Sequence, residues 1–170
     1  SFVIYLKIES QKEFLNQYQI ILKDTITNSV SKSFFVSFSH KDDEKLSKNG
    51  YSVTISFHTK ALFWSNLSKD EYETKKEFTK NFIIDELLKN ISDIKIEDIK
   101  IEFCATSKTF KRYINRFNCG STPLNLKNIF KIPSSTTPFK NLYNIGDSVF
   151  AGQGWPGVAL GVKVLNQNLI

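Results

Sequence analysis

Residues Tyr51–Phe57 alternate without a break: Tyr51, Val53, Ile55 and Phe57 fall on one side of an extended chain, and Ser52, Thr54 and Ser56 on the other. A helix would scatter the two sets around its axis, so the stretch reads as a half-buried strand of an antiparallel sheet. Ser1–Ile8 is a strongly apolar run of the same kind, and Phe34–Phe38 combines aromatic and branched residues that suit a pleated surface. Ile99–Ala105 is a further strand candidate, and Tyr18–Leu22 reads as a short strand or a helical turn. Lys41–Gly50, charged and ending in glycine, is a loop.

Ser68-Lys69-Asp70-Glu71 carries a helix start, a capping residue followed by acids in the first turn. The helix is expected to run to about Asn90, with Tyr72, Phe78, Phe82, Leu87 and Ile91 near one face and Lys75, Lys76, Glu77 and Lys80 on the wet side. Thr109–Phe117 reads as a short helix bearing Lys111, Arg112 and Arg116. Cys119-Gly120-Ser121-Thr122-Pro123 is a turn, and residues 133–138 resemble a linker. Five of the seven glycines then fall between Gly146 and Gly161. This change of texture places a domain crossing near Pro138.

Charge and cysteine content narrow the function classes. The formal net charge is +6, supplied almost wholly by lysine, with Arg112 and Arg116 the only arginines. Sequence-reading nucleic-acid binders lean on arginine forks, so nucleic acid is not an expected partner. A lysine-rich soluble surface is favoured, with attraction to an anionic membrane surface second. Cys104 and Cys119 lack metal-ligand spacing and have two histidines for company, which argues against zinc. Unpaired thiols fit a reducing compartment, cytoplasmic or plastid-like. The chain starts at Ser1, directly in strand-like sequence, and holds no methionine. It is therefore expected to be a piece of a longer polypeptide.

The chemically informative segment is Leu142–Gly161. A short apolar strand is expected to end at Gly146-Asp147, where glycine admits a bulky group and aspartate accepts hydrogen bonds from sugar-like hydroxyls. A glycine-rich turn follows, then Pro156 in a helix's first turn. From there the sequence is apolar and free of acids, which predicts a buried helix whose N-terminus offers unpaired N–H groups to an anionic or polarised ligand. Gly152, Gly154 and Gly157 match the spacing of the dinucleotide fingerprint. That reading fails because no acid follows Asp147. On spacing alone, a tight turn before a packed helix explains the triplet as well.

The run LYNIGDSVFAGQGWPGVALG resembles the C-terminal flavin motif of carotenoid isomerases, phytoene desaturases and retinol saturases, which has the form LY-x-x-GDS-x-FPGQG-x-x-x-VA-x-SG. Upstream, Thr106–Tyr113 is similar to the family's threonine-and-basic segment, and Asn118-Cys119-Gly120-Ser121 to a glycine turn. His58-Thr59, Trp64 and Tyr72-Glu73-x-x-Lys76 resemble the stretch between the family's substrate-domain sheet and helix. Ala151 replaces the usual proline, and Leu160-Gly161 stands where Ser-Gly is common; both leave backbone roles intact.

The resemblance implies an α+β or α/β chain, the C-terminal portion of a two-domain flavoprotein. Residues 1–138 would belong to a substrate-binding domain with an antiparallel or mixed sheet. Residues 139–170 would be the returning strand and helix of a Rossmann-like FAD domain, whose N-terminal unit lies elsewhere in the polypeptide. FAD is the implied cofactor. Gly146, Asp147 and Ser148 would meet its phosphate-ribityl region, and Gly152, Gln153, Gly154, Trp155, Pro156, Gly157 and Val158 would line the flavin. The implied substrate is a long hydrophobic polyene such as a carotenoid, isomerised, desaturated or saturated, with peripheral membrane contact. This fragment alone is expected to be inactive. Trp155 could shape a polyene channel or simply pack.

The rival reading is a non-catalytic remnant or a small apolar-ligand-binding domain. His58 has no identifiable partner and reads as structural. Arg112 and Arg116 could contact a flavin phosphate, although a salt bridge is favoured. Asp85, Glu86 and Asp93 read as solvated acids.

Overall fold

The computed structural model describes residues 1–26, 29, 31–43, 45–117, 132–150 and 154–169. Two compact units divide between Phe117 and Asn118. Pro138, where the composition changes, lies inside the second unit.

The first unit is built on five strands: β1 (Phe2–Ile8), β2 (Gln17–Ile21), β3 (Ser33–Phe38), β4 (Tyr51–Phe57) and β5 (Ile99–Ala105). They form one antiparallel sheet in the order β2-β3-β4-β1-β5. Alternation fixes the register. Phe2, Ile4, Leu6 and Ile8 stand opposite Phe57, Ile55, Val53 and Tyr51, so every pair on that face is apolar. β3 continues the layer by placing Val36 beside Ile55 and Phe38 beside Val53. The Phe2 and Phe57 rings stack at 5.2 Å. Each of these side chains contributes roughly 1.5–3 kcal/mol by leaving water. The segment left open between strand and helical turn is a strand, β2, because its backbone finds the partner β3.

Three helices accompany the strands in the first unit: α1 (Ala61–Ser65) and α2 (Lys69–Asn90) between β4 and β5, and α3 (Ser107–Ile114) after β5. The α2 start is the one legible in the sequence. The Glu71 backbone N–H donates to Ser68 Oγ at 3.4 Å, and the Ser68 N–H donates to Glu71 Oε2 at 3.0 Å. The face of α2 differs from the expectation. Ile83, Ile84 and Leu87 join the core together with Ile91, whereas Phe78 and Phe82 are 63% and 37% exposed. At 100° per residue, Phe78 lies opposite Leu87, with Phe82 on the same outer side one turn on.

Lys80, expected on the wet side, is buried. Its Nζ lies 2.6 Å from Glu102 Oε1 on β5 and 2.7 Å from Glu77 Oε1. A long aliphatic stem lets it cross apolar surface while its ammonium meets two carboxylates. Burial pulls the Lys80 ammonium down, but the hydrogen bonds to Glu102 and Glu77 outweigh it and leave the group above its ordinary 10.5. On the same strand, burial pushes the Cys104 thiol from 9.0 up to about 11.

Both shifts act on stability with one sign. Between pH 9.0 and about 11 the folded Cys104 keeps a proton that the unfolded chain has lost, so stability falls as pH rises. The Lys80 contribution is complete below 10.5 and disappears as pH climbs through its raised folded value. Urea titrations over this range are expected to show an alkaline decline that flattens in a Lys80→Met, Cys104→Ala double variant. An undiminished decline would assign it to other groups.

Gly50 closes the turn into β4 with φ +147°, and a Cβ there would stand 2.0 Å from the Ile8 carbonyl oxygen. Gly50→Ala is expected to cost about 2–4 kcal/mol, seen as a lower urea midpoint at unchanged slope.

The second unit contains α4 (Gly154–Leu169) after a set of turns. The strand expected at Leu142–Ile145 is reduced to a single bridge between Thr136 and Tyr143. A strand persists only where a neighbouring strand takes its N–H and C=O groups along its length, and among the described residues the pairing stops at this bridge. The Asn144 N–H donates to the Ser135 carbonyl at 2.8 Å and the Phe150 N–H to the Pro133 carbonyl at 2.9 Å. The helix expected to be buried is largely exposed. Gly161 and Leu165 are its buried residues, while Leu160, Val162 and Leu169 face outward. Apolar composition says that a helix wants cover, not what supplies it.

Candidate functional site

The residues proposed to meet a cofactor fall in two groups within the second unit. Gly146, Asp147 and Ser148 form a turn in which the Val149 N–H donates to the Gly146 carbonyl at 3.4 Å. Val149 is buried and pins the turn, leaving Asp147 half-buried and Ser148 exposed. Ser148 Oγ donates to Asp147 Oδ1 at 3.2 Å, which orients the carboxylate. Gly146 has φ +148° and nothing within 4 Å of the place a Cβ would occupy, so a bulky group can approach its backbone.

Gly154, Trp155, Pro156, Gly157 and Val158 form the first turn of α4. Helix geometry leaves the N–H groups of Gly154 and Trp155 without intrahelical acceptors, and Pro156 has none to give. The turn thus presents two donors at the positive end of the helix dipole, with no acid in the first turn to neutralise it. Trp155 is 82% exposed beside those donors. Gly152 and Gln153 lie outside the described residues, as does Asn118-Cys119-Gly120-Ser121.

In the first unit, three sequence segments singled out separately come together around Tyr72. The Trp64 indole is buried, and its Nε1–H donates to Thr59 Oγ1 at 3.0 Å. Trp64 meets the Tyr72 ring edge-on at 6.1 Å. The Tyr72 hydroxyl lies 3.1 Å from Thr106 Oγ1 and 3.2 Å from Thr109 Oγ1, at the start of α3. Thr106 also caps α3, accepting from the Lys108 N–H at 3.1 Å. The ammonium groups of Lys108 and Lys76 stand 4.9 and 5.6 Å from the centre of the Tyr72 ring. The cluster therefore locks α1, α2 and α3 together. Spacing along the chain gave no signal for it, because its members are as much as 50 residues apart.

The remaining candidates are structural or solvated. His58 contributes its backbone carbonyl to the Ser29 hydroxyl at 2.5 Å, and its side chain is exposed. Arg112 lies over the Tyr113 ring at 5.5 Å. Asp93 and Glu86 pair with Lys12 and Lys89. Among the described residues no group of histidine, cysteine, aspartate or glutamate is placed to hold a metal ion. No described helix is long and apolar enough to cross a membrane.

No family model matches the chain. Curated relatives do. The chain is 33% identical over 131 residues to prolycopene isomerase 1 and to prolycopene isomerase 2, both chloroplastic, of an Oncidium hybrid cultivar. It is 32% identical over 131 residues to the chloroplastic prolycopene isomerase of Daucus carota. These alignments cover 75% of this chain and 21–22% of the relatives, so the chain spans about a fifth of their length. Similarity of this extent, together with the Gly146-Asp147-Ser148 and Gly152-Gln153-Gly154 block, places the sequence: the chain belongs to the carotenoid isomerase and desaturase family.

Proposed function

We propose that this chain is the C-terminal part of an FAD-dependent enzyme that acts on a long conjugated polyene, as a carotenoid cis-trans isomerase or a desaturase or saturase. The observation that carries the reading is the identity to prolycopene isomerases across 75% of the chain. The relatives are chloroplastic, which supports a plastid-type compartment for this protein.

The residues present fit a flavin. Asp147, held by Ser148, would accept hydrogen bonds from ribityl hydroxyls, and the open space at Gly146 leaves room for the phosphate-ribityl region. The N–H groups of Gly154 and Trp155 would face the pyrimidine edge, and with the helix dipole favour negative charge there. Bound FAD supplies the redox chemistry. The sheet and helices of residues 1–138 would belong to a substrate domain that positions the polyene and excludes water. Residues 139–170 would return to a Rossmann-like FAD domain, where the exposed apolar side of α4 would pack against the rest of the longer polypeptide.

The test is flavin content. The full-length protein, purified and scanned for flavin absorption, is expected to be yellow and to convert a poly-cis carotene to another geometric or redox form, read by chromatography. A colourless protein that stays colourless after incubation with FAD would reject the reading in favour of a non-catalytic or apolar-ligand-binding domain.

A further inference from the structure

We infer, on the flavin reading above, that Thr137 is a positioning residue for the loop that carries Asp147. The stretch Pro133-Ser134-Ser135-Thr136-Thr137-Pro138 has the composition of a linker. In the second unit it is instead laced to the segment that bears Gly146, Asp147 and Ser148. The prolines at its two ends shape it. Pro138 steers Thr137 away from helical backbone, and Pro133 has no N–H, so its carbonyl is its one backbone bonding group.

The stretch runs antiparallel to residues 142–150. Thr136 bridges Tyr143, the Asn144 N–H donates to the Ser135 carbonyl at 2.8 Å, and the Phe150 N–H donates to the Pro133 carbonyl at 2.9 Å. Residues 145–149 therefore form a loop tied at both ends. The two ties are carbonyls only two residues apart, which span no more than about 7 Å of chain. That short span sets the width of the loop's base, and with it the direction in which Asp147 is presented.

Thr137 closes the clasp from the other side. Its Oγ1–H donates to the Leu142 carbonyl at 2.8 Å, and the same oxygen accepts from the Phe139 N–H at 3.2 Å. Between them the chain reverses through a left-handed Asn141, φ 61°. With Thr137 set beside Leu142, the next pairs follow in step, Thr136 with Tyr143 and Ser135 with Asn144. A slip of one residue would hand the loop's ends to different groups and turn Asp147 aside. Hydrogen bonds weaken steeply with misalignment, so the same carboxylate on a shifted loop binds less well.

Titration of the full-length apoprotein with FAD, followed by quenching of flavin fluorescence, tests this. Thr137→Val keeps the side chain's shape and removes the hydroxyl, and is expected to weaken FAD binding about threefold to tenfold. Thr137→Ser keeps the hydroxyl and should restore binding. Because Thr137 acts through Asp147, Thr137→Val should weaken binding no further in an Asp147→Ala background. Hydrogen exchange of the flavin-free protein reads the clasp directly. The Asn144 and Phe150 amides should exchange faster in Thr137→Val and at the wild-type rate in Thr137→Ser. A loss that serine fails to rescue, an equal loss in the Asp147→Ala background, or unchanged amide exchange would each overturn the role. A wild type that binds no FAD would reject the flavin reading and this role with it, whereas a wild type that binds FAD no better than Thr137→Val would reject the role of Thr137 alone.

Discussion

Trp64→Ala is expected to destabilise the first unit by about 3–5 kcal/mol, the range for losing a large aromatic side chain from a packed core. Trp64 is wholly buried and touches three rings, Phe2 at 5.3 Å, Phe63 at 5.2 Å and Tyr72 at 6.1 Å. It carries α1, a helix of five residues that has little stability of its own. It also donates to Thr59, so truncation leaves a part-buried hydroxyl without its donor. Against a typical total of about 5–15 kcal/mol, the loss is a large fraction. Urea unfolding followed by circular dichroism measures it. Trp64→Phe keeps much of the volume and loses the N–H, so it should fall between wild type and alanine. The chain has two tryptophans, and Trp155 is exposed. Emission from the Trp64→Ala protein should therefore shift to the red of wild type, and a stability loss below about 1 kcal/mol would contradict the packing described here.

Asp147→Ala in the full-length protein is expected to lower flavin affinity about tenfold to a hundredfold, because hydrogen bonds to a charged acceptor contribute about 1.5–3 kcal/mol. Ser148 holds the carboxylate from the side, and the turn itself is fixed by backbone bonds, so stability of the apoprotein should change little. Asp147→Asn keeps an acceptor and should retain part of the affinity. Flavin retained through purification, read from the visible spectrum against protein concentration, separates these outcomes. Full retention in Asp147→Ala would remove this residue from the proposed site while leaving the family assignment in place.

The alternating stretch Tyr51–Phe57 and the apolar run at Phe2–Ile8 set the sheet from sequence, since an extended chain has one way to sort two such faces. The α2 start was equally legible because a capping box is local, closed between Ser68 and Glu71. The Gly146-Asp147-Ser148 and Gly152-Gln153-Gly154 block carried the family for the same reason: its residues are contiguous.

What depended on long-range placement was decided by tertiary structure. Phe78 and Phe82 look like core residues by composition, yet the side of α2 that meets the sheet is set by Ile83, Ile84 and Leu87, and the two phenylalanines face out. Lys80 looks like a surface lysine until β5 brings Glu102 to 2.6 Å from it. The Tyr72 cluster needs Thr59, Trp64, Thr106 and Thr109 from two other segments, and only the packing of α1 and α3 beside α2 assembles it. The strand expected at Leu142–Ile145 and the buried face expected of α4 also depend on partners beyond their own residues. Local sequence fixes periodicity and caps because their energies are settled within one turn or one strand. It does not fix which surface covers a helix or which charge meets a buried ammonium, because those energies exist only after distant segments have met.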